Sequence, residues 1–354
     1  MVDTLLVAPP SDAGGIGKYA DTLSKALSDQ SVNVERLNLE EGAGPIRHVR
    51  TAVRAGCASV DVIHLQFEYA FFTPRILFAW VFFPILFVLT RLRGVPVVVT
   101  MHEAWRPDIV EPPVVGPKRA YVRLTHRLLA TTTDQLLFLS ENAVEAFEDS
   151  VPGVRARTLP HGVDVRGTRD VAPAEAKRRF DIDSDATVVS QIGYVAPRKN
   201  TDVMLELADS FPEYEFLVAG GPRRDDEREY FQSIRSNAPS NLTITGVLPD
   251  EDFHAAFAAT DLAVLSYSDI RQSGILNWCF AYRVPMLCRR IPYFERIASK
   301  WGGIALYEPD DDLGDRLREA VSDLETLERE MDSFREANSF EAVAGEHVKL
   351  YREL

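Results

Sequence analysis

Short apolar runs alternate with amphipathic helical stretches along the whole chain, and that alternation leaves few folds open. Thr4–Ala8 precedes a helical Tyr19–Leu27, Asp61–Gln66 precedes a long apolar helix, Val97–Met101 precedes Lys118–Ala130, and Gln135–Leu139 follows. Strands separated by helices cannot pair as hairpins. They form parallel sheets covered on both faces, an α/β fold. A second series starts at Val188–Ile192 and runs through Glu215–Ala219, Leu242–Thr245, Leu262–Leu265, Val284–Leu287 and Gly303–Leu306. A chain of 354 residues also exceeds what one core usually holds. Two Rossmann-like, doubly wound domains are expected, over 1–167 and 168–335, with a closing helix over 336–354. Their seam is placed in the Pro/Gly/Arg-rich segment Leu159–Pro173. Ligands of such sheets bind beyond the carboxyl ends of the strands, so a cleft between two facing domains is the expected site.

Charge narrows the partners. Against 39 basic residues stand 53 acidic ones, a net −14, and only 7 of the basic residues are lysine. A scattered acidic, lysine-poor surface excludes nucleic acid as a partner and points to a halophilic protein whose self-repulsion is screened by salt. Cys57, Cys279 and Cys288 are widely spaced and odd in number, which excludes a disulfide framework and a cysteine-based zinc site. A reducing, cytoplasmic setting follows. The opening MVDTLLVAPP has no basic region and too short an apolar run for a signal peptide; it reads as a first buried strand.

The stretch with most chemical content is Val188–Thr201, VVSQIGYVAPRKNT. A strand breaks at Gly193, a loop brings Arg198 and Lys199 together, and a helix capped by Asn200 or Thr201 follows. Two cations beside a helix N-terminus suit a phosphate-bearing ligand; the alternative is a solvated charge pair in an ordinary turn. A second helix begins near Ser273–Gly274 after the polar loop holding Asp269 and Arg271, and offers another anion site. In SDAGGIGKYA, Gly14, Gly15 and Gly17 lead into a helix without matching a Walker loop or a dinucleotide fingerprint. VVVTMHE ends a strand on His102, and LPHGVD is a second His-Gly turn, while His64 sits inside the strand VIHLQF as core or cleft edge. The acidic run Pro309–Asp315 reads as a solvated loop and helix cap, and no metal site is expected.

Phe71–Arg93 is the most unusual segment. Ile76–Thr90 holds 15 residues without a charge, bracketed by Arg75, Arg91 and Arg93. As a helix it spans about 22 Å, too short to cross a bilayer, and Pro84 interrupts it. It is apolar on nearly all faces, which one-sided packing does not require, so the expectation for the helix at 75–93 is peripheral contact with a membrane. Phe82 and Phe83 would then touch lipid, and serine at both positions would release the protein from acidic liposomes.

In order, GGIGKYA, TMHE, LPHGVD, IGYVAPRKN, LVAGGP, LTITGVLPDEDFHAAFAATDLAVL and SGILNWCFAYRVPML resemble the family 4 glycosyltransferases, which are retaining, nucleotide-sugar-dependent enzymes of GT-B fold. The closing SFEAVAGEHVKLYREL resembles the helix that crosses back onto the first domain. The resemblance covers essentially the whole chain. It implies that the first domain binds the acceptor and the second the nucleotide sugar. Lys199 and Arg198 would bind the donor diphosphate, and Ser273, Gly274 and Ile275 would offer N–H groups to its distal phosphate. His102 would lie by the donor sugar, with Gly193 at the strand exit and Gly14, Gly15 and Gly17 as the phosphate and acceptor loop.

Two departures stand out. The family's paired glutamates fall on Ile270 and Trp278, with Asp269 a substitute for the first, and its usual arginine after the strand glycine is Tyr194, for which Arg198 would compensate. Indole donates but cannot accept a hydrogen bond, so Trp278 cannot hold a ribose as glutamate does. The expected function is transfer of a sugar to a glycan or lipid-linked acceptor at the cytoplasmic face of a membrane, with no cofactor beyond the donor. The alternatives are a catalytically degenerate partner subunit and, less supported, a sugar-nucleotide epimerase, which would need paired carboxylates where only Glu103 ends a strand.

Overall fold

A computed structural model describes residues 1–40, 42–72, 76–107, 115–270 and 272–354; Arg75 and Arg271, both named above, lie outside them. The chain divides into two compact units, Met1–Gly162 with Phe340–Leu354, and Val163–Ser339. The first contains β1 (Val2–Ala8), α1 (Gly15–Asp29), β2 (Val32–Asn38), α2 (Pro45–Gly56), β3 (Val62–Phe67) and α3 (Ala79–Arg93). It continues with β4 (Val97–Met101), α4 (Val115–Thr132), β5 (Gln135–Phe138), α5 (Glu141–Glu148) and β6 (Ala156–Thr158). The second opens with α6 (Pro173–Arg179), β7 (Val188–Ile192), α7 (Asp202–Ser210), β8 (Glu215–Ala219), α8 (Arg228–Ser236) and β9 (Leu242–Ile244). Then come α9 (Asp250–Ala258), β10 (Leu262–Leu265), α10 (Gly274–Tyr282), β11 (Met286–Arg289), α11 (Pro292–Ala298) and β12 (Ile304–Tyr307). Three short helices, α12 (Leu313–Ser322), α13 (Leu324–Glu330) and α14 (Asp332–Ala337), complete it, and α15 (Phe340–Glu353) returns to the first unit.

Each unit holds one six-stranded sheet, ordered β2-β1-β3-β4-β5-β6 in the first and β12-β11-β10-β7-β8-β9 in the second. Every pairing is parallel. The central strands β3, β4 and β7 are buried throughout, as their apolar runs require. The sequence reading lacked β2 and β6, the two edge strands of the first sheet. β2 is broken by charges and partly exposed, and β6 is three exposed or half-exposed residues, so neither carries an apolar run.

The unit boundary falls earlier than the expected 167. Val163 N–H donates to the Asn338 carbonyl at 2.8 Å and pairs with Ser339, which ties 163–167 to the second unit. Likewise the crossing segment starts at Phe340 and not at 336, because Phe334 of α14 stacks on Phe280 at 3.8 Å within the second core. In the first unit α15 lies along α1, where Phe340, Val348 and Tyr351 close over Tyr19, Leu23 and Val98.

The apolar helix corrects the expectation of lipid contact through Phe82 and Phe83. α3 packs between α2 and α4, with Phe82, Phe83 and Leu86 each 0 % exposed in the core that also holds Phe67 and Phe72. Ala79, Phe82, Phe83, Leu86 and Thr90 form its buried face, and Pro84 sits inside it without ending it. Its exposed apolar residues are others: Val81, Val88 and Leu92, with Leu77 just before the helix. Among the described residues no helix is long and apolar enough to cross a membrane.

Candidate functional site

In the second unit the exits of β7 and β8 meet backbone to backbone. Gly193, after β7, has φ +96°, a conformation that L side chains rarely adopt. A Cβ there would stand 2.9 Å from Ile275 Cδ1 and 3.2 Å from Lys199 Nζ, so Gly193, Lys199 and the start of α10 converge. A Cβ on Gly220, after β8, would lie 2.0 Å from the Gly193 carbonyl oxygen, which explains the GG of that turn.

The cationic turn Pro197–Lys199 is a single turn of 3-10 helix anchored from beneath. Gln191 Nε2 and Ser266 Oγ both donate to the Lys199 carbonyl, at 3.0 and 2.7 Å, and Ser268 N–H donates to the Arg198 carbonyl at 2.9 Å. Neither Asn200 nor Thr201 caps α7 with its side chain. Asn200, at φ 49°, instead donates from Nδ2 to the Ser266 carbonyl at 2.9 Å.

These anchors hold Lys199 in a place where its charge is poorly solvated. The residue is 7 % exposed, its ammonium 5.2 Å from the Tyr267 ring centre. Burial, and then the Arg198 charge, lower its pKa to about 8, against a smaller opposing effect of Glu227. Among the described residues no carboxylate pairs with it. The first turn of α10 opens beside it. Ser273 caps that helix, accepting the Leu276 N–H at 3.2 Å; its own N–H, expected to face a phosphate, instead donates to the Tyr293 hydroxyl at 3.2 Å, which leaves the Gly274 and Ile275 N–H groups without a helical partner. A buried cation beside a helix N-terminus is an arrangement that favours an anion. Asp269 is exposed in the loop just after Ser268, close in sequence to the Arg198 contact.

Sequence reasoning missed Arg223. Its guanidinium lies over the Tyr194 ring at 5.6 Å, so the position without the family's arginine gains a cation from the β8 exit. The only signal was the pair of arginines after the Gly-Gly-Pro turn. Buried Glu227 fixes that loop, accepting the Arg223 and Arg224 N–H groups at 2.9 and 3.1 Å. Trp278 is half-buried and packs edge-on to His254 at 5.0 Å and to Phe253 at 6.2 Å. An aromatic cluster between α9 and α10 thus occupies the glutamate's position.

The first unit builds a different kind of site. Of the three loop glycines, Gly14 supplies φ +96°, and a Cβ on Gly17 would come within 2.0 Å of the Pro10 carbonyl oxygen. Both serve local geometry, whereas Gly15 faces open space at the start of α1. One turn on, Tyr19 brings two predicted histidine motifs together: its ring centre is 5.0 Å from His102 and 4.7 Å from His161. His102 is held by its N–H to the Phe67 carbonyl at 3.1 Å and by Nε2 at 2.8 Å from Gln66 Oε1. Burial lowers His102 to about 3, with a further contribution from His161, and lowers His161 to about 4. Both rings are neutral at neutral pH, and burial raises the Tyr19 phenol, whose hydroxyl has no partner among the described residues. Neutral imidazoles can donate and accept, which suits hydroxyl groups. Among the described residues no group of three His, Cys, Asp or Glu could hold a metal ion. Asp312 of the acidic run caps α12, accepting the Asp315 N–H at 3.1 Å.

Residues 2–162 match the glycosyl transferase 4-like domain. Over 154 residues the chain is 29% identical to the alpha-galactosylglucosyldiacylglycerol synthase of Streptococcus pneumoniae, a match covering 42% of this chain and 41% of that protein's length. The fold is similar to Anabaena Alr3699/HepE in complex with UDP and glucose, at 12% identity and TM-score 0.74 over 100% of both chains. It is also similar to sucrose-phosphate synthase from Thermosynechococcus elongatus, at 16% identity and TM-score 0.73 over 100% of this chain and 99% of that one. Residues 2–162 thus carry a glycosyl transferase 4-like domain, and the two Rossmann-like units share the GT-B fold of these solved structures.

Proposed function

We propose that the protein is a retaining glycosyltransferase that moves a sugar from a nucleoside diphosphate to a lipid-linked or glycan acceptor at the cytoplasmic face of a membrane. The observation that carries this reading is Lys199, a buried ammonium with no carboxylate in contact among the described residues, beside the N-terminus of α10. In this reading the donor diphosphate supplies the missing charge. As the bond from the anomeric carbon to the phosphate oxygen breaks, its electron pair stays on the diphosphate, where Lys199, Arg198 and the α10 N–H groups stabilise it. The acceptor oxygen bonds to the same face of the sugar, and its proton leaves on the diphosphate. The fixed cations do the work a divalent metal would do, so turnover should survive EDTA. His102, His161 and Tyr19 are assigned to sugar and acceptor hydroxyls.

A membrane-borne acceptor has two supports. One is the likeness to a synthase whose name describes a glycosylated diacylglycerol. The other is the surface of α2, α3 and α4, where Val53, Val81, Val88 and Leu92 are exposed. Around them lie Arg47, Arg50 and Arg54 on α2 and Lys118, Arg119, Arg123 and Arg127 on α4, all exposed, and none of the three helices carries Asp or Glu. In a chain of net −14 such a basic, apolar face fits an acidic bilayer. Replacing Val88 and Leu92, 55% and 80% exposed, by aspartate should abolish flotation with acidic liposomes; undiminished flotation would remove this face from the reading.

The transferase reading is tested by nucleotide binding in molar KCl, the salt that the acidic composition calls for. UDP, GDP, ADP and TDP are compared, with Lys199→Ala as control. Selective binding lost in the variant supports a donor site and names the nucleotide; no binding to any of them overturns it. The second reading, a catalytically degenerate partner subunit, is favoured by Trp278 packing where the family carries glutamate. Sugar transfer by the purified chain would exclude it.

A further inference from the structure

Parallel strands covered on both faces are normally apolar throughout, yet β3 reads Val62-Ile-His64-Leu-Gln66-Phe and is buried at every position. His64 and Gln66 point to the same face, since side chains alternate along a strand. Gln66 pairs in register with Thr100 of β4, which adds a third polar group there. A fully buried amide and imidazole are tolerated only if their polar atoms are matched. Those matches form a chain. Gln66 Oε1 lies 2.8 Å from His102 Nε2, and Gln66 Nε2 lies 3.1 Å from His64 Nε2. Thr100 Oγ1 also reaches His64 Nε2, at 2.7 Å, and His64 Nδ1 is 2.6 Å from the hydroxyl of Tyr351 on α15.

The direction of each hydrogen bond depends on the next. With its amide oxygen toward His102, Gln66 accepts from Nε2–H and donates its own N–H to His64 Nε2. His64 must then carry its proton on Nδ1 and donate it to Tyr351. His102 is left with a bare Nδ1. Reversing the Gln66 amide would reverse both histidines at once, because each neutral ring has one N–H. The other titratable groups around His102 are Tyr19 of α1 and His161 after β6, in ring contact with Tyr19, while His347 of α15 faces His64 at 5.3 Å.

We infer that Gln66, His64 and Tyr351 are positioning residues that fix His102 in its Nε2–H tautomer, so that α15 takes part in orienting the site residue. Which nitrogen of a histidine carries the proton is set by the hydrogen bond the other atoms impose on it. A bare Nδ1 gives His102 an acceptor for a hydroxyl. Its consequence for turnover rests on the transferase reading, but the tautomer itself does not.

The test uses the full chain labelled with 15N-histidine, reading ring-nitrogen tautomers at pH 7 in the wild type, Tyr351→Phe and Gln66→Leu. Tyr351→Phe keeps the ring that fills the core, which guards against a variant that fails to fold. The wild type should show His102 as Nε2–H, and both variants should convert it to a mixture of tautomers. With a donor that the wild type turns over, kcat should fall roughly 10–100-fold in Gln66→Leu while the donor KM stays within about twofold. An Nδ1–H tautomer in the wild type, or an unchanged His102 signal in both variants, overturns the inference. If the tautomer responds but no donor is turned over by the wild type, the transferase reading fails and the positioning chain stands.

Discussion

The two units treat polar burial in opposite ways. Around His102 the first unit buries neutral groups and links them by hydrogen bonds into the core. Around Lys199 the second unit buries a cation with no carboxylate in contact among the described residues, and only the more distant Glu227 opposes its loss of charge. The first arrangement sets neutral donors and acceptors of a kind that suits hydroxyls, and keeps the buried Tyr19 hydroxyl unpartnered among the described residues; the second keeps a poorly solvated charge of a kind that suits an anion. The same Rossmann scaffold therefore carries one neutral polar cluster and one charged one.

Acid should separate the units most strongly. Burial holds His102 at about 3 and His126, His161 and His347 at about 4, all in the first unit, whereas the second has only His254. With folded values below the ordinary 6.5, the unfolded chain binds more protons, so stability is complete above pH 6.5 and falls as pH drops towards 4. Hydrogen exchange at pH 5 should deprotect β3 and β4 while β7 and β8 stay protected. Simultaneous loss in both sheets would break the comparison.

Lys199→Met comes next, with effects of opposite sign. It should cost roughly 2–4 kcal/mol of transition-state stabilisation, read as a fall in kcat/KM. It should also raise the melting temperature of the free protein, because the strained charge is gone. The lowering of Lys199 to about 8 corresponds to a penalty on the order of 3 kcal/mol. That penalty is full below pH 8 and fades as pH rises towards 10.5, since the unfolded lysine holds its proton more tightly. A variant less stable than the parent at pH 7 would show that the cation was already compensated.

A smaller effect sharpens the same contrast. Nucleotide binding near pH 8.5 should take up a fraction of a proton at Lys199, measured calorimetrically in buffers of different ionisation enthalpy. Uptake that persists in Lys199→Met would assign it elsewhere. The smallest expected change is in Trp278→Glu, which should alter nucleotide Kd by no more than about tenfold, 1.4 kcal/mol. A larger gain would mean that the ribose contact dominates and the diphosphate does not.

The two sheets and their order of elements were legible because buried parallel strands write unbroken apolar runs. The edge strands β2 and β6 were not, since one-sided exposure removes that signal. The Gly193–Lys199 turn and the Ser273 cap were legible as local patterns. What they meet was not: Arg223 reaches Tyr194 from another strand exit, and Tyr351 reaches His64 across 287 residues. α3 shows what an apolar segment leaves open. Uniform hydrophobicity does not say which of its faces is covered; the packing buries Phe82, Phe83 and Leu86 and leaves Val81, Val88 and Leu92 exposed.

The return of α15 to the first unit bears on how the protein is made. Residues 1–162 leave the ribosome early, but the face of Tyr19, Leu23 and Val98 that α15 covers stays open until the whole second unit has been synthesised. During that interval a greasy surface waits for a lid encoded nearly two hundred codons downstream, an opening for chaperone capture or for mistaken association with another nascent chain.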